Sequence, residues 1–428
     1  MTALAHASAR RRGACPGLSA PMPTGDGLLV RLQPNGTIAL AAFTALCAAA
    51  RRYGNGIVEV TARGNVQIRG LSEVSAPRFA AAVAALDIAA ESGIAVVVGP
   101  LAGLDRHETI DPRPFAESLR HALARSAPAA RLSAKTSIAI ESGGALDPTH
   151  VPADIRLSAR REGTAIVFDL ALGGDRAGAT PLGAVADRDA SAAVLRLLDV
   201  LAVRDGERRM RDVVAAEGPA PFRAAVADRL LPARRRAEPL PACANAAEAI
   251  GIHPLRDGSF ACGIGLAFGH CDAATLERLS EAAAAAGACG LRTAPGRALL
   301  AIGVPRANAD AFAAAAGRLG FVTRAGDPRA KIVACAGAPI CASAHIAARA
   351  LAPQIAGLAD FPVHISGCAK GCAHPAPAPL TVVGTPAGCA LVAGGTARDA
   401  PFAVVTTADL SAAVARFARE RRDGQCDA

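Results

Sequence analysis

A pattern of one apolar strand, one helix and two further strands occurs twice in this chain, and such a repeat restricts the fold more than any single motif does. In the first copy an apolar strand is expected over Leu28 to Leu32, a helix over about Ile38 to Tyr53, and strands over Ile57 to Val60 and Val66 to Ile68. Gly54 and Gly56 end the helix and turn the chain, because glycine tolerates left-handed backbone. In the second copy, about 230 residues later, a strand is expected over Ala261 to Phe268 and Asp272 caps a helix running to about Ala286. Gly287 stops that helix, and strands follow over Gly290 to Thr293 and Ala298 to Ile302. Identity between the copies is low, so the likeness is one of hydrophobic pattern, and it indicates an internal duplication.

Between the copies lies a larger α/β region, with strands at Ser137 to Ile140 and Ala165 to Leu172 and a helix over about Ala190 to Val203. It closes on Pro232, Arg234, Arg235, Arg236, Pro239 and Pro241, a basic, proline-punctuated stretch that reads as a linker. The expected fold class is therefore α+β, with small domains over 20–90 and 237–320 and larger α/β domains over 91–236 and 327–426. No apolar run approaches the roughly 18 residues of a membrane span. The N-terminus, with Arg10-Arg11-Arg12, lacks the apolar core of a signal peptide. A cytoplasmic protein without membrane contact is the expectation. The net charge of +9 raises the question of nucleic acid, but the basic residues are dispersed, and there is no Trp and only 12 Phe and 1 Tyr to stack bases. A polyanionic small molecule fits this dispersed excess of Arg at least as well.

The 12 cysteines are too few for a disulfide scaffold in a chain of 428 residues. Four of them stand out: Cys335-x5-Cys341 and, after a helix-length gap, Cys368-x3-Cys372. Iron of a 4Fe-4S cluster prefers thiolate sulfur, and two such pairs can converge on one cubane from two loops. Gly337, Pro339, Gly367, Gly371 and Pro375 surround them, and small residues let backbone N–H groups approach the sulfurs. The competing readings are four buried structural cysteines or a zinc site, although zinc usually takes Cys-x2-Cys pairs. Cys47, Cys243, Cys262, Cys271, Cys289, Cys389 and Cys426 lack spaced partners and read as core or surface thiols. Cys15, in Gly13-Ala14-Cys15-Pro16-Gly17-Leu18, lies in a loop built for a tight backbone path.

With these residues in place the chain resembles the nitrite and sulfite reductase family, whose members bind sirohaem beside a 4Fe-4S cluster. The matching segments are Leu28-Leu29-Val30-Arg31-Leu32, Thr61-Ala62-Arg63-Gly64-Asn65-Val66-Gln67, Gly99-Pro100-Leu101-Ala102-Gly103 and the four cysteines. The resemblance covers nearly the whole chain and implies two ferredoxin-like half domains, each followed by a larger α/β domain. It also implies that Arg31 and Arg63 hold tetrapyrrole carboxylates, a task that suits the bidentate, permanently charged guanidinium. Arg69 and Lys135 are further candidates for the same task. Cations that the reductases use on their oxyanion are replaced here by Ala134 and Ser137, with Lys135 kept between them, and a further arginine aligns with Ile94. A six-electron reduction consumes many protons and builds negative charge, so these losses speak against it.

A closer resemblance is to the precorrin-3B synthase branch, through Arg12-Gly13-Ala14-Cys15-Pro16-Gly17-Leu18 and Pro21-Met22-Pro23-Thr24-Gly25-Asp26-Gly27-Leu28-Leu29-Val30-Arg31. That resemblance implies oxygen-dependent hydroxylation of precorrin-3A at C20, with lactone formation from the ring A acetate. It implies a mononuclear non-haem iron beside the cluster, and NADH as the source of electrons. With no Gly-x-Gly-x-x-Gly after a strand, there is room for an electron-donor protein between NADH and this chain. Sirohaem and precorrin-3A are both polycarboxylate uroporphyrinoid rings, so a cleft shaped for one as cofactor can hold the other as substrate. The runner-up is a sirohaem-dependent nitrite or sulfite reductase, and a third reading is a non-catalytic cluster protein. For the mononuclear iron no ligand is assigned; His345, His364 and His374 lie nearest the cysteines in sequence and read as hydrogen-bonded core histidines.

Overall fold

The computed structural model describes residues 16–90, 93–126, 131–204, 208–232 and 249–426. Most of the linker stretch, together with Cys15 and Cys243, lies outside the described residues. Four five-stranded sheets form two matched pairs. The first sheet runs in the order Met22–Thr24, Gly27–Leu32, Val66–Leu71, Ile57–Val60 and His270–Asp272, with every neighbour antiparallel. The third repeats that order with Gly251–Pro254, Phe260–Gly265, Ala298–Val304, Gly290–Ala294 and Ile38–Ala39. Each of these sheets takes its last strand from the other half of the chain.

This exchange accounts for two departures from the sequence reading. Ile38 and Ala39 are extended, paired to Leu291 and Gly290, and the helix begins only at Leu40 and runs to Tyr53. The strand expected over Ala261 to Phe268 ends at Gly265. A 3-10 turn over Ala267–Gly269 follows, with Phe268 at φ +62° and Gly269 at φ +88°, and it redirects the chain into His270–Asp272 on the first sheet. Asp272 then caps the helix Ala273–Ala285 as expected, its side chain accepting from the Thr275 N–H. That helix packs on Leu40–Tyr53, where Thr44 Oγ1 meets Ser280 Oγ at 3.0 Å, and one core containing Phe43, Leu46, Leu276 and Leu279 serves both sheets.

The duplication extends to the α/β regions. The second sheet comprises Ala95–Val97, Ser137–Glu141, Ala153–Glu162, Ala165–Gly174 and Thr180–Ala186, with the first three parallel and the rest antiparallel. The fourth has the same plan in Ile332–Ala334, Val363–Ser366, Ala378–Thr385, Gly388–Gly395 and Ala403–Val405. No helix among the described residues is long and apolar enough to cross a membrane.

Side chains alternate across a strand, so each sheet of the first pair has a core face and a second face turned to the α/β domains. In the first sheet Val30, Leu32, Val58, Val60, Val66 and Ile68 enter the core. Arg31, Glu59, Gln67 and Arg69 occupy the alternate positions. In the third sheet the alternate face is apolar around Arg292: Ala261, Ala298, Leu300 and Ile302 pack with Leu101 and Leu146 of the neighbouring α/β region.

Candidate active site

Where the first sheet meets the strand Ala95–Val97 and the turn before Ser137–Glu141, the chain encloses a cavity of about 740 Å³. That is at the upper end of the roughly 300–1,000 Å³ of small-molecule sites. Arg31, Arg63, Arg113, Lys135 and Arg292 line it, and among the described residues its lining contains no Asp or Glu. Such a wall attracts an anion of high charge. The sequence reading found Arg31, Arg63 and Lys135; Arg113 and Arg292 carried no signal, one opening a helix and the other in an apolar strand.

Arg31 is half-buried and braced by Gln67, whose Oε1 accepts from Arg31 Nε at 3.0 Å and from Nη2 at 2.6 Å. Gln67 Nε2 in turn donates to Glu59 Oε2 at 2.6 Å. Arg63 stands on the hairpin tip between Ile57–Val60 and Val66–Leu71, with Nη2 3.4 Å from the Pro152 carbonyl. Lys135 is exposed on its turn. Arg113 pairs with Asp111 at 2.7 Å, at the start of the helix Arg113–Ala124. Arg292 is 7% exposed, and burial together with the Arg113 charge pushes its pKa down to about 10.

Arg69 is placed differently from the expectation. It does not line the cavity; its Nε and Nη2 form a two-pronged pair with Asp26 at 2.8 and 2.7 Å, and Nη1 lies 3.5 Å from Glu59. Its charge is thus answered within the protein, and it faces the cysteine loops, where it opposes the upward push of burial on the Cys372 thiol. Of the positions where the reductase cations are lost, Ala134 and Ile94 do line the cavity. Ser137 does not: it is buried, and its backbone N–H donates to Asp154 Oδ2.

The four cysteines follow the ends of two adjacent parallel strands. Cys335 comes directly after Ile332–Ala334, and Cys368 two residues after Val363–Ser366. Their charges act on one another: Cys372 and Cys341 on Cys335, and Cys368 and Cys341 on Cys372. Gly367 N–H donates to Cys335 Sγ at 3.0 Å, yet burial still pushes that thiol up to about 11. A Cβ on Gly25 would lie 2.3 Å from Cys341 Sγ, so this glycine lets the first sheet's outer hairpin close over the cysteine loop. Among the described residues no three His, Cys, Asp or Glu side chains close on a single point as the ligands of one ion do. A cubane instead carries its thiolates on separate irons, and an all-thiol set spread over two loops, with N–H groups aimed at sulfur, has that chemistry. Of the remaining cysteines, Cys47, Cys262 and Cys389 are buried, while Cys289 is exposed.

The histidines near the cysteines differ in kind. His345 is exposed. His364 is buried edge-on against His374 with ring centroids 5.7 Å apart, and neither of its ring nitrogens has a partner among the described residues. Burial, aided by His374 and Arg297, pushes its pKa down to about 4, so it is neutral. The expectation of a hydrogen-bonded core histidine does not hold for His364. The expectation that the chain contains no His-x-Asp or His-x-Glu pair is wrong: His270-Cys271-Asp272 has that spacing. Both Asp272 oxygens are engaged by Thr275 at 2.9 Å, which leaves that pair a helix cap.

Residues 20–86 match the family model described as "Nitrite/Sulfite reductase ferredoxin-like half domain". The structure of the Mycobacterium tuberculosis NirA protein is similar in fold, with a TM-score of 0.69 and 20% identity over 92% of this chain and 80% of that one. A curated relative from Sinorhizobium sp, named "Precorrin-3B synthase", is 39% identical over 416 residues, which span 96% of this chain and 88% of the relative. The duplicated α+β architecture expected from the sequence is therefore the observed one, and with identity at this level over almost its full length the chain belongs to the precorrin-3B synthase family.

Proposed function

We propose that this protein catalyses the oxygen-dependent hydroxylation of precorrin-3A at C20, with lactone formation from the ring A acetate. The observation that carries this reading is the cavity walled by Arg31, Arg63, Arg113, Lys135 and Arg292, with no carboxylate among its described lining residues. A ring bearing eight carboxylates needs such a wall. Arg31, held by Gln67, presents a fixed fork to one carboxylate, while Arg63 and Lys135, on a hairpin tip and a turn, meet others at the rim. The neutral Ile94 and Ala134 in the same wall support oxygen insertion over oxyanion reduction, because they offer no protons to a reducing oxyanion.

Cys335, Cys341, Cys368 and Cys372 are the ligands in this reading, and a 4Fe-4S cluster bound there supplies electrons one at a time. The mononuclear iron implied by the resemblance stays without assigned ligands, since the described residues bring no close triad together. One oxygen atom enters the substrate; the other leaves as water with two electrons and two protons drawn from NADH and solvent, through an electron-donor protein. A cytoplasmic location belongs to the same reading. Purified, iron-loaded protein incubated with precorrin-3A, oxygen and a reductant should yield a product heavier by one oxygen atom in a mass spectrum. An unchanged substrate mass with fully loaded protein overturns the proposal.

A further inference from the structure

One charge in the cavity wall comes from the second half of the chain. Arg292 lies on Gly290–Ala294 opposite Leu300, the place Glu59 holds opposite Gln67 in the first sheet. Its neighbours on that face are apolar, and it is 7% exposed. Nε donates to Thr37 Oγ1 at 2.7 Å, and Nη1 donates to the carbonyls of Pro100 and Ala102 at 3.0 and 3.1 Å. All three acceptors are neutral. Among the described residues no carboxylate reaches Arg292 at ion-pair distance; the strongest charge acting on it is the like charge of Arg113, and Cys289, Glu108 and Asp111 oppose that more weakly. Nη2 has no hydrogen-bond partner among the described residues, and the residue borders the cavity.

Buried charges are ordinarily paired, since an uncompensated one loses its hydration with nothing to replace it. A guanidinium fixed by three neutral acceptors beside a second cation, with one nitrogen left over at a cavity wall, is organised for an anion that arrives from outside. We propose that Arg292 binds a side-chain carboxylate of the tetrapyrrole through Nη2. This rests on the reading of the cavity as a tetrapyrrole site, and it adds that the ligand is gripped by both halves of the duplicated chain. Thr37, next to the exchanged strand Ile38–Ala39, holds the guanidinium from the first half, so the exchange itself sets where this charge stands.

The test is fluorescence titration of uroporphyrin III, a stable octacarboxylate, into wild-type protein and the variants Arg31→Ala, Arg292→Met and Arg292→Lys, with the melting temperature of each measured without ligand. Arg292→Met is expected to weaken binding about tenfold, as the loss of one charge-assisted pair does, and Arg292→Lys to weaken it less because charge survives but the fork does not. If wild-type protein binds no uroporphyrin, the tetrapyrrole reading of the cavity fails and this inference falls with it. If wild type binds and Arg31→Ala weakens binding while Arg292→Met binds within twofold of wild type, the inference alone is overturned. Should Arg292→Met not fold, Arg292→Lys decides: a lowered melting temperature with unchanged affinity makes Arg292 a staple between domains and refutes the proposal.

Discussion

The second and fourth sheets share strand order and strand directions, yet the loops at the ends of their paired parallel strands do opposite things. After Ile332–Ala334 and Val363–Ser366 these loops carry Cys335, Cys341, Cys368 and Cys372. After Ala95–Val97 and Ser137–Glu141 they carry Asp105, Glu108 and Asp147, which are consumed by the loops' own backbone. Glu108 accepts from the Gly103 N–H at 3.0 Å, Asp147 from the Ser142 and Gly143 N–H groups at 3.1 and 2.6 Å, and Asp105 from that of His107 at 2.8 Å. A scaffold repeated in one chain thus keeps its sheets and changes its loops, because loops tolerate replacement where strands do not. One copy closes its loops with carboxylates and frames the cavity, while the other gives its loops four thiols.

That contrast can be broken most sharply at a cysteine. Cys368→Ser is expected to abolish the iron–sulfur absorbance and the activity together, whereas Cys389→Ser, in the core of the same domain, should keep full iron content; retained cluster in Cys368→Ser would remove it from the ligand set. Next in size, Arg31→Ala should raise KM for precorrin-3A about tenfold or more while leaving the iron–sulfur spectrum unchanged. An unaltered KM would separate Arg31 from the substrate. The carboxylate loops give a smaller, pH-dependent effect. Burial pushes Glu108 up to about 7 and Asp147 up to about 6, above the values of about 4 that carboxyls have in an unfolded chain. The fold therefore favours their neutral forms, and the stability they contribute is full below about pH 4 and declines as the pH rises towards 7. In urea unfolding, Glu108→Gln should lose less stability than wild type between pH 5 and pH 8; equal losses would show that Glu108 does not titrate in this range.

Much of the fold was legible because it rests on local hydrophobic periodicity. The strand Ile57–Val60 and the Asp272 cap follow from a few neighbouring residues, and both are observed as expected. The exchanged strands were not legible. They are two and three residues long, and Ile38–Ala39 abuts a helix whose apolar pattern absorbs it. Within the cavity, Arg31 and Arg63 were legible through motifs with a known counterpart, while Arg292 was not, since Thr37 lies 255 residues away and strand periodicity says nothing about a partner so remote. Arg69 illustrates the converse: two residues past the matching segment that ends at Gln67, it is taken by Asp26, 43 residues earlier, and only the folded sheet brings the two together.

In the proposed function the cavity holds its tetrapyrrole as substrate and not as a resident cofactor. The visible absorption spectrum of iron-loaded protein as isolated, followed by titration with precorrin-3A under anaerobic conditions, tests it most directly. The expected result is the broad absorbance of an iron–sulfur cluster without sirohaem bands, and then saturable binding of one precorrin-3A per chain. Stoichiometric sirohaem in the isolated protein, with no binding of precorrin-3A, would contradict it.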